Sequence, residues 1–283
     1  MRARPPRLYG FVIGARLGGG PTCDVYSALD TTGRHGWAVK VLRDDAALDP
    51  TNVQLLRREF RAGLALRHAN LVRMLRSGPD DERPRHLVME RVPGRSVRSA
   101  LLNHGWLSPH LSASIALQAA SALAAVHSAG YVHGDVKPDN LHLRPDGAAV
   151  LLDLGFAHRP GDDEDLIGNG FVLGTANYVA PELCEQPETD GTASDIFSLG
   201  VTLFELLTGE LPYPTGGVQE TMQIHRDCRP DTLHRWNGRW PDRLADLVDH
   251  MLARSPEDRP SARGVERELA RLYSHLAIQR VAS

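Results

Sequence analysis

Lysine is almost missing from this chain: of 32 basic residues only two, Lys40 and Lys137, are lysine, and the rest are arginine. Cysteine is scarce as well. Cys23, Cys184 and Cys228 have no metal-ligand spacing and three thiols cannot all pair, which points to reduced thiols and a cytoplasmic location. Neither sign of charge dominates, with 35 acidic residues against 32 basic and a net charge of −3, so nucleic acid is not an expected partner. Residues 1–9 are basic and proline-rich and lack the apolar core of a secretory signal. The longest apolar stretch, residues 115–126, is interrupted by Gln118 and Ser121 and reads as too short to span a bilayer, so no membrane segment is expected. There is also no Ser, Thr or Tyr between residues 156 and 174, and no internal repeat or low-complexity tract. What remains is 283 residues, 42% hydrophobic and 24% charged, enough for one large domain or two lobes with real cores.

The chemistry is concentrated in His133-Gly134-Asp135-Val136-Lys137-Pro138-Asp139-Asn140, followed by apolar runs and then Asp153-Leu154-Gly155. Asp135 can take a proton from an attacking hydroxyl, and Lys137 can hold a transferring phosphate. Asn140 and Asp153 supply oxygens for a hard cation such as Mg²⁺. This is equipment for phosphoryl transfer, in which positioning and charge neutralisation do most of the work. The stretch resembles the catalytic loop and Asp-Phe-Gly motif of eukaryotic-like serine/threonine protein kinases, in their bacterial type. Gly134 departs from that family's usual Arg, and Leu154 from its Phe.

The rest of the chain carries the same resemblance in order. An apolar strand over residues 11–17 ends in Gly18-Gly19-Gly20-Pro21-Thr22-Cys23-Asp24-Val25, similar to the family's Gly-rich loop with Cys23 at its third glycine. Glycines there let backbone amides approach phosphates. Cys23 is expected to stiffen the loop tip and to be an oxidation-sensitive spot over the nucleotide. Residues 37–42 read as an apolar strand with a lone charge, Lys40, which needs a partner. Asp49-Pro50 opens a helix with apolar residues at helical spacing, and Glu59 on it is the expected partner. Two further strands are expected over residues 71–75 and 86–91. The resemblance makes Met89 the gatekeeper behind the adenine and Glu90 and Val92 the backbone that binds its edge. It extends the ATP contacts to Leu17, Gly18, Gly20, Val25, Ala38, Lys40, Glu59 and Asp153. Arg91 is expected to face outward.

Ser108-Pro109 opens a long Ala/Leu-rich core helix that ends near Gly130. Residues 174–182, Gly-Thr-Ala-Asn-Tyr-Val-Ala-Pro-Glu, resemble the substrate-docking loop and Ala-Pro-Glu motif, and Thr175 with Lys137 resembles the Ser/Thr-specific branch. Asp195 resembles the family's brace of the catalytic loop, and Arg259 the ion-pair partner of Glu182. Gly134 removes the Arg that normally receives an activation-loop phosphate, and the acceptor-free stretch removes the phosphate, so independence from loop phosphorylation is expected. The acidic run Asp162-Asp163-Glu164-Asp165 has the charge to mimic a phosphate, but without that Arg it reads as a solvated loop. The resemblance spans residues 9–276 and places lysine at both positions where the family needs one. Two random picks among the basic sites would do so about once in five hundred, and Arg does not substitute cleanly at either.

The implied fold is α+β and bilobal, a small β-sheet lobe with one helix (residues 1–91) and a mainly helical lobe (residues 92–283). The implied activity is ATP- and Mg²⁺-dependent (alternatively Mn²⁺-dependent) phosphorylation of Ser/Thr hydroxyls on protein substrates, with Asp135, Lys137 and Asn140 catalytic and Asn140 and Asp153 holding the metal. The oligomeric state is left open. Two alternatives share the fold. Small-molecule kinases have a similar His-Gly-Asp loop but lack the docking loop, the Ala-Pro-Glu motif and a lysine at position 137. A non-catalytic pseudokinase would have lost Lys40, Asp135 or Asp153.

Overall fold

Alternating apolar residues build an antiparallel sheet from β1 (Phe11–Gly19), β2 (Cys23–Asp30), β3 (Gly36–Leu42), β4 (Met74–Ser77) and β5 (His86–Glu90), in the order β1-β2-β3-β5-β4. A computed structural model describes residues 8, 10–33, 36–79, 83–159, 175–185, 191–236 and 240–282, with side chains through 274. The acidic run Asp162-Asp163-Glu164-Asp165, Gly174 and most of the acceptor-free stretch lie outside the described residues. Successive strand residues point to opposite faces. Val39, Val41 and Val88 therefore pack on one side of the sheet, with Tyr26 and Ala28, while Ala38, Leu42, Leu87 and Met89 pack on the other. Lys40 falls on the second face, which is covered by α1 (Pro50–Ala65). That helix starts as expected, with Asp49 accepting from the Thr51 N–H at 2.8 Å and Pro50 in the first turn. It lies so close to β4 that a Cβ on Gly63 would fall 2.0 Å from Met74 Cγ.

One expected strand is displaced. Pairing begins at Met74 rather than at residue 71, because the preceding backbone bonds elsewhere. Leu151 N–H donates to Asn70 O at 2.8 Å and Val72 N–H donates to Leu151 O at 3.0 Å. Leu71 and Val72 are thus buried against β8 (Ala149–Leu151), joining the first sheet to the rest of the molecule.

The remainder is mainly helical: α2 (Val97–His104), α3 (Pro109–Ser128), α4 (Pro181–Glu185), α5 (Thr192–Thr208), α6 (Val218–Asp227), α7 (Asp242–Met251) and α8 (Ala262–Ala282). A small sheet of β6 (Arg95–Ser96), β7 (Leu141–Leu143) and β8 lies against it. Helix α5 is apolar nearly all round and forms the centre, with Phe197, Leu203 and Phe204 fully buried. Each such side chain contributes about 1.5–3 kcal/mol by leaving water. Gly209 ends α5 in the left-handed region at φ 81°, its N–H returned to Glu205 O. Helix α3 opens at Ser108-Pro109 and ends at Ser128, as its sequence suggested. Its 20 residues make it the one helix among those described that is long and apolar enough to cross a membrane. Most of its apolar window is buried in the core, where Ile115, Leu123 and Val126 are fully covered.

Far from the cleft, Arg259 closes the helical part. Its guanidinium grips Glu182 in two hydrogen bonds of 2.6 and 2.7 Å and donates to the carbonyls of Ala253, Ala193 and Arg254. The Arg259 side chain is 0% exposed and that of Glu182 13%. Arg259→Ala would strand a buried carboxylate, so a loss of about 3–5 kcal/mol in urea unfolding is expected. Arg271→Ala, at an exposed pair with Glu268, should cost no more than about 0.5 kcal/mol. Equal losses would refute the structural role of the buried pair.

Candidate active site

The segment between α3 and β7 has no regular ladder to satisfy its backbone, and a buried carboxylate does that work. Asp195, in the first turn of α5, accepts from His133 N–H at 2.8 Å, Gly134 N–H at 2.9 Å and the His127 ring at 2.8 Å. Burial opposes ionisation of Asp195, but these donors outweigh it and hold the carboxyl below the usual Asp range. Gly134 has φ 78°, and a Cβ there would lie 3.0 Å from Phe156 O, so the bend suits glycine on both counts.

Held this way, the loop gathers four polar groups. The Asp135 carboxylate accepts from Asn140 Nδ2 at 2.7 Å and pairs with Lys137 Nζ at 2.7 Å through Oδ2, and accepts from Thr175 Oγ1 at 2.8 Å through Oδ1. Lys137 also donates to Thr175 Oγ1, and Asn140 Nδ2 to Asp135 O at 2.8 Å. Asp135 is 5% exposed and Asn140 8%, so packing holds both in place. Thr175 was read from sequence only as a mark of the Ser/Thr branch; the structure puts its hydroxyl on the carboxylate itself. A small cavity beside them is lined by Gly134, Thr175, Val179 and Leu183. A concavity of about 1520 Å³ lies elsewhere, beneath residues 209–215 and beside Trp236. Arranged charge, not cavity size, marks the site.

The second cluster joins the sheet to the segment after β8. Lys40 Nζ lies 2.8 Å from Glu59 Oε2 and 2.8 Å from Asp153 Oδ1. Burial alone would lower the Lys40 ammonium, yet the two carboxylates hold it well above the usual lysine range. One ammonium cannot neutralise both carboxylates, and burial decides which one suffers. Glu59 is 1% exposed, and burial pushes it up to about 7 despite Lys40. Asp153, with a side chain 38% exposed, is held below the usual range because Lys40 outweighs its burial. Asp153 adopts φ 58°, a left-handed conformation that Asp tolerates better than most residues. Leu154, at the family's Phe position, is fully buried against α1 beside Gly63.

Strand register aligns the remaining named residues. Val25 lies opposite both Gly18 and Lys40, and Ala38 opposite Met89, with Leu17 on β1 and Val92 packed at the edge of the same cluster. A Cβ on Gly18 or Gly20 would meet nothing within 4 Å, so both border open space. Gly19 is different, since a Cβ there would fall 2.5 Å from Asp24 Oδ1. The Glu90 carboxylate is tied to Arg144 at 2.5 Å, a brace between the end of β5 and the residue after β7 with no signal in the sequence. Arg91 is exposed, as expected. Cys23 corrects an expectation: it is buried at 8% exposure among Ala38, Leu42 and Leu56, and burial pushes its thiol up. A protonated, covered thiol is not an oxidation-sensitive one.

For a metal, the residues fit a hard cation. Among the described residues no three His, Cys, Asp or Glu side chains group as a metal site. Asn140 commits its amide nitrogen to Asp135, which leaves its amide oxygen and the Asp153 carboxylate as the groups that could hold one. Leu152 N–H to Asn140 O at 2.7 Å ties the two ligand-bearing segments together.

The family model described as the protein kinase domain matches residues 11–268. The serine/threonine-protein kinase PknB of Mycobacterium leprae is 32% identical over 278 residues, which cover 95% of this chain and 44% of that protein. PknL of Mycobacterium tuberculosis is 32% identical over 249 residues, 88% of this chain and 62% of that one. PkaA of Streptomyces coelicolor, also named a serine/threonine-protein kinase, is 36% identical over 239 residues, 82% and 42% of the two chains. The chain spans about half the length of these curated relatives.

The Glu59 carboxyl gives a pH dependence. Its value in the fold is raised above the ordinary 4.5 to about 7, so the protonated form is favoured and the full Lys40 pairing exists only above about pH 7. Affinity for a fluorescent ATP analogue should weaken several-fold as pH falls from about 8 to about 6, while Glu59→Gln binds weakly at both. A wild-type profile as flat as the variant's would refute this.

Proposed function

The chain belongs to the protein kinase domain family, and from that membership we propose that it transfers the γ-phosphate of ATP to Ser and Thr hydroxyls of protein substrates. The observation that carries this reading is the Thr175 hydroxyl donating to Asp135 at 2.8 Å with Lys137 alongside. A β-hydroxyl already fits between base and ammonium, which is the arrangement an incoming Ser or Thr would need.

The geometry supports a division of labour. Asp135 accepts the proton of the acceptor hydroxyl as its oxygen bonds to phosphorus and the bond to the ADP leaving group breaks. Lys137 neutralises charge on the transferring group, and Asn140 holds the Asp135 carboxylate in orientation. Lys40, kept charged by Glu59 and Asp153, serves the phosphates of the nucleotide. Gly18 and Gly20 leave room above them, and Leu17, Val25, Ala38, Met89, Glu90 and Val92 receive the adenine. Asn140 and Asp153 would hold the metal, which would supply charge neutralisation on the phosphate oxygens. Mg²⁺ suits this all-oxygen donor set, and Mn²⁺ would suit it as well. The reading divides the chain into a nucleotide-covering lobe, residues 1–91, and a lobe carrying the acceptor site, residues 92–283.

We also propose that activity does not require a phosphate on the activation segment. Gly134 offers no guanidinium to receive one, and residues 156–174 contain no hydroxyl to carry one. Incubation with labelled ATP and Mg²⁺ should label both the protein itself and a generic basic substrate on Ser or Thr, outside residues 156–174. Asp135→Asn should lower the rate about 10²- to 10⁴-fold. Phosphatase pretreatment should leave the wild-type rate unchanged. Absent transfer with retained ATP binding would refute the protein-kinase assignment, and a phosphatase-sensitive rate would refute the independence.

A further inference from the structure

One buried titratable ring lies outside the clusters already described: His225, in the last turn of α6. Helix α6 turns Val218, Gln219 and Glu220 to solvent and buries Thr221 and His225, four residues apart and so on one face. His225 is 1% exposed, an unusual depth for a histidine. Its ring is stacked on Tyr213, with centroids 4.1 Å apart and planes at 27°, and meets Phe197 edge-on at 6.2 Å and 62°. Tyr213 and Phe197 are themselves buried, so two aromatic surfaces fix the plane of the imidazole.

That plane aims Nδ1 at the backbone carbonyl of Val179, 2.7 Å away and 46 residues earlier in the chain. A carbonyl only accepts, so Nδ1 carries the proton and donates it to the hydrogen bond. Burial lowers the affinity of the ring for a second proton, which keeps the imidazole neutral. The carbonyl it holds belongs to the acceptor segment. Val179 is buried, closes the short turn Ala176–Tyr178 through its N–H to Ala176 O at 3.3 Å, and lines the small cavity beside Asp135 and Thr175. Thr175, four residues before it, bears the hydroxyl that meets Asp135. Helix α4 follows at Pro181, and there Arg254 bridges Glu185 at 2.8 Å to the carbonyl of Arg226 on α6. That outer bridge is half-exposed, whereas the His225 bond is internal and reaches the Thr175–Val179 segment itself.

We infer that His225 is a positioning residue for the protein acceptor: its Nδ1–H holds the Val179 carbonyl from α6 and so sets where the Thr175 end of that turn stands relative to Asp135. The inference rests on the protein-kinase reading and adds to it a determinant of acceptor use that lies outside the nucleotide cluster. Lys40, Glu59 and Asp153 pair among themselves across β3, α1 and the segment after β8, so acceptor and nucleotide readouts separate.

The test sets partial replacements of one side chain against each other. His225→Asn keeps an N–H at the position of Nδ1 and loses the ring, whereas His225→Phe keeps a stacked ring and loses the donor. In His225→Phe, kcat/KM for a protein acceptor should fall about ten- to thirtyfold, with KM for ATP and affinity for a fluorescent nucleotide within about twofold of wild type. His225→Asn should keep acceptor turnover within about threefold of wild type, although it gives up the stacking and melts at a lower temperature than His225→Phe. His225→Gln, whose amide sits near the Nε2 position, should fall between them. A purely structural histidine would rank the variants the other way, with activity following thermal stability. Wild-type acceptor turnover in His225→Phe, turnover in His225→Asn no better than in His225→Phe, or a loss matched in nucleotide affinity overturns the inference. Should one of the three fail to fold, the remaining two are compared by the same ranking, and equal turnover in them overturns it. Absence of transfer from the wild type refutes the protein-kinase reading and the inference with it; an active wild type with unaffected variants refutes the inference alone.

Discussion

A loop that must present a carboxylate cannot also close its own hydrogen bonds, and Asp195 resolves that conflict. Its two oxygens take the N–H groups of His133 and Gly134 while the His127 ring supports it from behind. Because Asp195 belongs to the most deeply buried helix, the loop is referenced to the hydrophobic centre rather than to the surface. The left-handed turn at Gly134 follows, and with it the direction of Asp135. Remove that reference and the short-range contacts among Asp135, Lys137, Asn140 and Thr175 lose their common frame.

The same economy of charge runs through the rest of the molecule. Ion sets with a buried member recur: Lys40 with Glu59 and Asp153, Arg98 with Glu205, Arg259 with Glu182. Each set joins segments far apart in the chain. Such pairs add little net stability against well-packed apolar residues, but they are intolerant of a missing member, which makes them devices for alignment. The cleft is assembled from two of these sets, and the third locks the helical part from behind.

Much of the site was legible because phosphoryl transfer demands particular chemical types. Lysine at position 40 in an apolar strand requires a partner, and Glu59 on the following helix meets it at 2.8 Å. Asp49-Pro50 announced α1 through local capping chemistry. The displaced strand start at Met74 was not legible, because Leu71 and Val72 are apolar enough for either sheet and only β8 decides between them. Cys23 looked like an exposed loop tip because its burial depends on Leu42 and Leu56, which arrive from other elements. Arg98 gave no signal at all: in the local run Val97-Arg98-Ser99 it is one arginine among many.

By itself the sequence determined the kinds of groups and their local settings: which residues ionise, which glycines permit a close backbone approach, where helices start, and that lysine is spent at two positions only. These follow from side-chain chemistry and from interactions a few residues long. The tertiary structure alone decided how charge is shared among Lys40, Glu59 and Asp153, that the Thr175 hydroxyl reaches Asp135 across 40 residues, and that Arg98 reaches Glu205 across 107. The reason is physical. Burial and long-range pairing set the energy of an ion, and neither exists until the elements that exclude water have packed.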